Sequence, residues 1–246
     1  MAEGPIRAMG PGLVAAFRRG RAFEALRNRD YRLLWIAQLG HSASLWAEAV
    51  ARNWLIWELT GSGAYLALVN LLRAIPMTVV GLFAGVAADR YDKRKLLIIV
   101  KFATFINKAI LALIIVTGVV EVWHVLLSAF LMGVSMSVEQ PVRTALIPSL
   151  VGRETLTSAI ALNSAAMNIT RVLGPMGAGL LIAPLGIGGV YFVSAGVYIV
   201  AIVATVMMHV PPVLARLEKT SWWTDLGEAF RYVYNEKSIF ALVILA

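Results

Sequence analysis

Glu48, Arg52, Arg73, Lys108 and Arg171 each lie inside an otherwise apolar stretch of this 246-residue chain. A charged side chain in such surroundings is costly unless it faces a partner or an enclosed cavity. Glu48 precedes Arg52 by four positions, so the two share a helix face with the acid first and can pair. Two readings of that pair are open. It is either an ion pair that holds helices together, or a proton-titrating site at Glu48 that loads when the pair opens into a dry cavity. Arg73, Lys108 and Arg171 then remain without an evident acid in the apolar stretches. Either acids elsewhere neutralise them, or they line a cavity that suits an anionic or catechol-like molecule by charge complementarity.

A second cluster is made of charge alone. Asp89-Arg90-Tyr91-Asp92-Lys93-Arg94-Lys95 holds six charges in seven residues and follows Gly85-Val86-Ala87-Ala88. It sits between two apolar runs, so it reads as a tight hairpin joining two membrane-spanning helices. Gly85, Asp89, Arg90, Lys93 and Arg94 are candidates for a gating loop. The plainer reading is a loop that only sets orientation. A third group, Gly174-Pro175 with Gly177 and Gly179, is expected to bend its helix and allow close approach of a neighbour, because Pro deletes a backbone hydrogen bond and Gly lacks a side chain. Pro76 could kink its helix likewise, and a bend with no role in function is the alternative.

The elements that position these residues are transmembrane. Hydrophobic residues make up 59% of the chain, charged ones 15%, and the mean hydropathy is +0.77. A soluble domain carries about a quarter charged residues. Six stretches approach or exceed the ~20 apolar residues that cross a bilayer. They are about Leu33–Leu59, Ala64–Ala88, Leu96–Gly118, Val122–Val138, Ser158–Ala183 and Gly188–His209. The connections Thr60–Gly63, Val119–Glu121 and Pro184–Ile187 hold no Lys or Arg, whereas the N-terminal arm, 89–95, 139–157 and the segment after His209 hold seventeen. That asymmetry places the N-terminus and the even-numbered loops in the cytoplasm.

The net charge of +8 falls in these short connecting segments, which favours lipid headgroups over nucleic acid as the counter-surface. Residues 1–32 form a cytoplasmic arm with an interfacial helix over 23–32. Residues 33–209 form a six-helix domain, and 210–238 a cytoplasmic connector with an interfacial helix presenting Trp222, Leu226, Phe230 and Val233. Residues 239–246 begin a seventh transmembrane helix that is cut short, so the chain reads as part of something longer. Leu13–Phe17 is too short an apolar core for a cleaved signal peptide. Glu139 and Gln140 are expected at the interface.

There is no cysteine, and His41, His124 and His209 show no ligand-like spacing, so no metal site is expected. The sequence holds no Ser-His-Asp set, phosphate-binding glycine loop or dinucleotide fingerprint. Neither an enzyme nor a bound cofactor is expected.

Several segments resemble the major facilitator superfamily in the right order. Leu26-Arg27-Asn28-Arg29-Asp30-Tyr31-Arg32-Leu33-Leu34-Trp35 is similar to the start of the first helix in bacterial exporters of the enterobactin-exporter branch. The Gly85–Lys95 run resembles the superfamily's loop between helices two and three, with Asp92 where glycine is usual. Pro148–Leu156 resembles the loop into helix five, and Arg171–Gly179 the Gly-Pro motif associated with antiporters. One feature departs from the pattern. Many proton-driven drug exporters carry an arginine in helix four, and Leu126–Gly133 has none.

The resemblance implies an all-α membrane protein, the six-helix N-terminal half of a major facilitator fold plus the start of helix seven. It implies a secondary active transporter of the bacterial inner membrane that exports an amphipathic or anionic small molecule, siderophore or drug, by alternating access. It also implies that Asp89 pairs with the other half, and it favours Arg171 as a site residue. The partners expected are lipids, the substrate and a C-terminal half. The competing reading is a transporter-derived structural subunit within a larger membrane complex, without transport activity.

Overall fold

The computed structural model describes residues 21–210, with 21–22 and 82–90 as backbone alone. The expected connector helix and the start of a seventh span lie outside the described residues, as does the arm before Arg21. A 3-10 turn, Arg21–Arg27, leads into five helical runs: α1 (Arg29–Thr60), α2 (Gly63–Arg90), α3 (Lys93–Val116), α4 (Val122–Leu150) and α5 (Leu156–Met207). The segment expected as an interfacial helix is thus this turn and the first residues of α1. Asn28 divides them as an N-cap, its Oδ1 accepting from the backbone N–H groups of Asp30 (2.9 Å) and Tyr31 (3.1 Å).

α5 is 52 residues long and would extend about 78 Å if straight. Both of its ends instead meet the start of α1. Tyr31 donates its hydroxyl hydrogen to the Ala159 carbonyl (2.7 Å), and His209 N–H donates to Asp30 Oδ1 (2.9 Å). The run therefore folds back on itself. Gly186 makes the reversal at φ 66°, ψ 178°, a backbone region closed to residues with a Cβ. Its two arms are the expected fifth and sixth stretches, and the break falls in the expected connection Pro184–Ile187. Backbone dihedrals stay helical through Gly174-Pro175, so the non-helical break lies at Gly186 and not at that pair.

α4 also differs from expectation. It runs unbroken to Leu150 instead of ending near Val138, and the link to α5 shrinks to residues 151–155. Glu139, expected at the interface, is buried among the helices. Glu139 and Arg143 are each 2% exposed; Lys101 pairs with Glu139, and Arg143 donates to the neutral side chains of Asn163 and Gln140.

α1 packs chiefly on α5, α2 on α4, and α3 on both α4 and α5. Two apolar clusters cap the bundle's interior. One gathers Tyr31, Leu34, Leu97, Leu146 and Met208, the other Leu55, Ile56, Val69, Leu111 and Val190. Between them lies a polar belt: Gln38, His41, Ser44 and Glu48 of α1, Lys101, Thr104 and Lys108 of α3, Glu139 of α4, and Ser194 of α5. The outside is apolar, with Val172 and Leu180 about two-thirds exposed or more. Charge inside and aliphatic groups outside is the arrangement suited to hydrocarbon.

Among the described residues, four runs are long and apolar enough to cross a membrane: Gly63–Gly81, α3, α4 and α5. α1 is kept out of that group by its own inward polar stripe.

Candidate functional site

Glu48 sits two turns along α1 from His41 and is held from two sides. Lys108 Nζ of α3 donates to Oε2, and Arg52 Nη1 of the same helix donates to Oε1 at 3.5 Å. All three side chains are 1–2% exposed. The expected Glu48–Arg52 pair is present. Lys108, expected to lack an acid, is instead the tighter partner of Glu48, because α3 crosses α1 at this level. Arg52 Nη2 donates to Asn70 Oδ1 (3.4 Å), and Asn70 Nδ2 donates to Asn53 Oδ1 (3.2 Å), which ties α2 to the pair.

The remaining expected cations make no direct ion pair in this group, although Arg73 lies close enough to feel the charges of Glu48 and Arg52. Arg73 is half-buried on α2, and its Nη1 lies 3.7 Å from Met136 Sδ of α4. Arg171 is exposed on the first arm of α5, its guanidinium carbon 5.4 Å from the centroid of the Trp46 ring. Arg73 and Lys108 both face the charge of Glu48, whereas Arg171 lies apart on Trp46, and the three line no common cavity among the described residues.

An apolar cavity lies along the same arm of α5. A cavity of about 160 Å³ between α1 and both arms of α5 is lined by Ala43, Ala47, Leu173, Gly174, Gly177 and Val197, among others. Gly174 is the close-approach glycine, since a Cβ there would lie 2.6 Å from Trp46 Cβ. Gly177 opens onto the cavity, and Gly179 faces open space. Helix contact and cavity lining are therefore divided among the motif's glycines.

At the hairpin, Gly85, Asp89 and Arg90 belong to the last turns of α2, and their side chains lie outside the described residues. Asp92 accounts for the departure from glycine. It is the N-cap of α3, its Oδ1 accepting from Lys95 N–H at 3.0 Å. Lys93 is half-buried in the first turn of α3. Arg94 reaches the end of α5, where Nε donates to the Thr205 carbonyl (3.3 Å) and Nη2 to that of Val206. A cation on C-terminal carbonyls offsets the helix dipole. Arg94→Ala is expected to lower stability by about 1 kcal/mol, read as an earlier thermal unfolding midpoint, while Lys95→Ala leaves it unchanged.

A second buried cluster escaped the sequence reading. Lys101 Nζ donates to Glu139 Oε1, and His41 Nδ1 lies 3.2 Å from the same oxygen and 2.7 Å from the Tyr198 hydroxyl. Arg143 continues it, donating to Asn163 Oδ1 (2.6 Å) and Gln140 Oε1 (2.7 Å). A signal was available. His41 and Glu48, Lys101 and Lys108, and Tyr191 and Tyr198 are each seven residues apart. Two helical turns put each pair on one face, in two layers about 10 Å apart.

An apolar exterior around a belt of buried charges is the arrangement of a polytopic membrane protein. The profile of the transmembrane secretion effector family matches residues 21–246, and the chain belongs to that family of major facilitator proteins. It is similar to the staphyloferrin A transporter of Staphylococcus aureus, 29% identical over 165 residues that cover 67% of this chain and 42% of that protein. Macrolide efflux protein A of Streptococcus pyogenes is 23% identical over 211 residues, 84% of this chain and 52% of the relative. The enterobactin exporter EntS of Shigella boydii is 28% identical over 186 residues, 74% and 44% respectively. The chain spans about half the length of the curated relatives it matches. The expected superfamily and exporter-type kinship are thereby shown.

Proposed function

We propose that the chain forms the N-terminal half of an ion-gradient-driven exporter in a bacterial inner membrane, with its N-terminus cytoplasmic. Residues 33–209 are its six-helix domain, and a C-terminal half completes an alternating-access cycle around a site near the midplane. The substrate is an amphipathic or anionic small molecule. The observation that carries this is Arg171, exposed on the Trp46 ring, one turn from Gly174, which packs on Trp46 and lines the apolar cavity between α1 and α5. One side chain offers a cation and the adjoining wall offers Ala, Gly and Leu, which together suit a molecule with an anionic group and an apolar body. Relatives named for a siderophore and for macrolides support a substrate of that size.

Coupling is assigned to Glu48. Protonation of its carboxylate weakens its hold on Lys108 and so loosens α1 from α3. The test uses the full-length protein in vesicles with an imposed pH gradient, with flux of a catecholate siderophore and of a macrolide as readouts. Arg171→Gln is expected to lower flux of the anionic compound about tenfold, matching the loss of one charge-assisted contact. The double variant Glu48→Gln/Lys108→Met keeps the net charge of the cluster and is expected to abolish gradient-driven flux. Gradient-driven flux that survives in the double variant overturns the role of Glu48. Siderophore flux indifferent to Arg171 overturns the substrate class.

A further inference from the structure

Three cations draw on the single carboxylate of Glu48: Lys108, Arg52 and Arg73. Lys108 holds it most closely, through Oε2. Arg52 is left with two long contacts, 3.5 Å to Glu48 Oε1 and 3.4 Å to Asn70 Oδ1. Well-made hydrogen bonds from nitrogen to oxygen span about 2.7–3.2 Å. The Nε–H of Arg52 is buried and has no hydrogen-bond partner among the described residues. Arg73 fares no better, since its Nη1 has only the weak acceptor Met136 Sδ at 3.7 Å. Among the described residues it forms no ion pair.

The two arginines are brought together by Asn70. Its Oδ1 accepts from Arg52 Nη2, and Arg73 follows it by three positions on α2, one turn along the same face. Asn70 Nδ2 donates to Asn53 Oδ1 (3.2 Å) and to the Leu66 carbonyl (2.8 Å), which fixes the amide with its oxygen toward Arg52. Each guanidinium feels the other's charge. Like charges facing each other away from water are costly, and an anion between them removes that cost. A guanidinium offers a planar fork of N–H donors that matches a carboxylate. A buried donor without a partner marks the place where a bound group belongs.

We propose that Arg52 and Arg73 form a binding site for the carboxylate of a small molecule. Arg52, 2% exposed, is the floor, and its Nε–H donates to the bound group. Arg73, half-buried on α2, is the mouth through which the anion enters. Glu48 stays with Lys108, and the anion supplies the negative charge that one acid among three cations does not. The site is distinct from Arg171, which lies on Trp46. Its existence does not rest on the exporter reading above.

The test is NMR of the arginine Nε–H groups of the full-length protein in lipid nanodiscs, with acetate replacing chloride at fixed ionic strength. Arg52→Lys identifies the Arg52 signal by its loss. The expected result is a saturable shift of that signal, together with a higher thermal unfolding midpoint, because a ligand held only by the folded state stabilises it. Arg73→Gln is expected to raise the half-saturating acetate concentration about tenfold, the loss of one charge-assisted contact. Arg73→Lys keeps the charge without the fork and is expected to fall between the two. The midpoint reads the same dependence without the Arg52 variant. An Arg52 signal indifferent to acetate, as an acid elsewhere in the chain seated on the pair would produce, overturns the site. Half-saturation unchanged by Arg73→Gln overturns it as well. A response lost with Arg171→Gln and kept with Arg73→Gln places the anion at Trp46 and overturns the pair.

Discussion

Glu48→Gln is expected to cost the folded bundle about 3–5 kcal/mol, the usual penalty for leaving a buried charge without its partner. The carboxylate serves Lys108 and Arg52 at once, and each is 2% exposed or less. Neutralising it leaves two cations facing each other in a dry interior. Lys108→Met should cost much less, because Glu48 then keeps Arg52 and the local charges sum to zero. Adding Lys108→Met to Glu48→Gln should recover much of the loss, since one cation in place of two remains. Denaturant unfolding in mixed micelles, followed by helical circular dichroism, ranks the three variants. Equal losses from Glu48→Gln and Lys108→Met would show that the shared acid is not what holds the layer.

Gly133→Ala is expected to be the most damaging of the conservative substitutions, at ~1–3 kcal/mol or more. The Cβ it adds would sit 2.2 Å from the backbone oxygen of Arg73 and 3.0 Å from its carbonyl carbon. The obstacle is backbone, so no rotamer change relieves it and α2 must move away from α4. Gly196→Ala provides the control, because nothing lies within 4 Å of the added atom. Removing glycine from that helix interior should leave stability unchanged or raise it by about 0.5–1 kcal/mol. A Gly133→Ala protein as stable as its Gly196→Ala counterpart would mean that the α2–α4 contact yields readily.

These two expectations differ in how early they could have been formed. Glu48 and Arg52 are neighbours on one helix, so their pairing follows from a spacing of four and helical geometry. Gly133 carried no such signal. Its importance comes from the partner helix, and nothing local distinguishes it from Gly177, which faces a cavity, or Gly179, which faces open space.

The same division holds across the molecule. Helix ends were legible where local chemistry makes them. Gly61 closes α1 in the left-handed region at φ 59°, and Gly186 turns α5 back. Asp92 caps α3 with its own side chain. The end of α4 was misread because Glu139 and Arg143 look like charges bound for water. A charge marks a loop when water is its cheapest partner, and here Lys101, Asn163 and Gln140 supply other partners. Lys101 was passed over for a related reason. One lysine in an apolar run says little until its acid, thirty-eight positions away, is brought to it.

Sequence by itself determined the class of this protein: apolar length, the placement of Lys and Arg, and the turn residues depend on the chain and its solvent alone. The motifs carried its kinship, later shown by the family match. Tertiary structure alone decided which charges meet. Lys108 took Glu48, Glu139 took Lys101 and His41, and Arg171 was left exposed on Trp46, one turn along α5 from the Gly174 that lines an apolar cavity. Pairing energies in a low-dielectric interior depend on distances between helices, and the order of residues along the chain does not contain those distances.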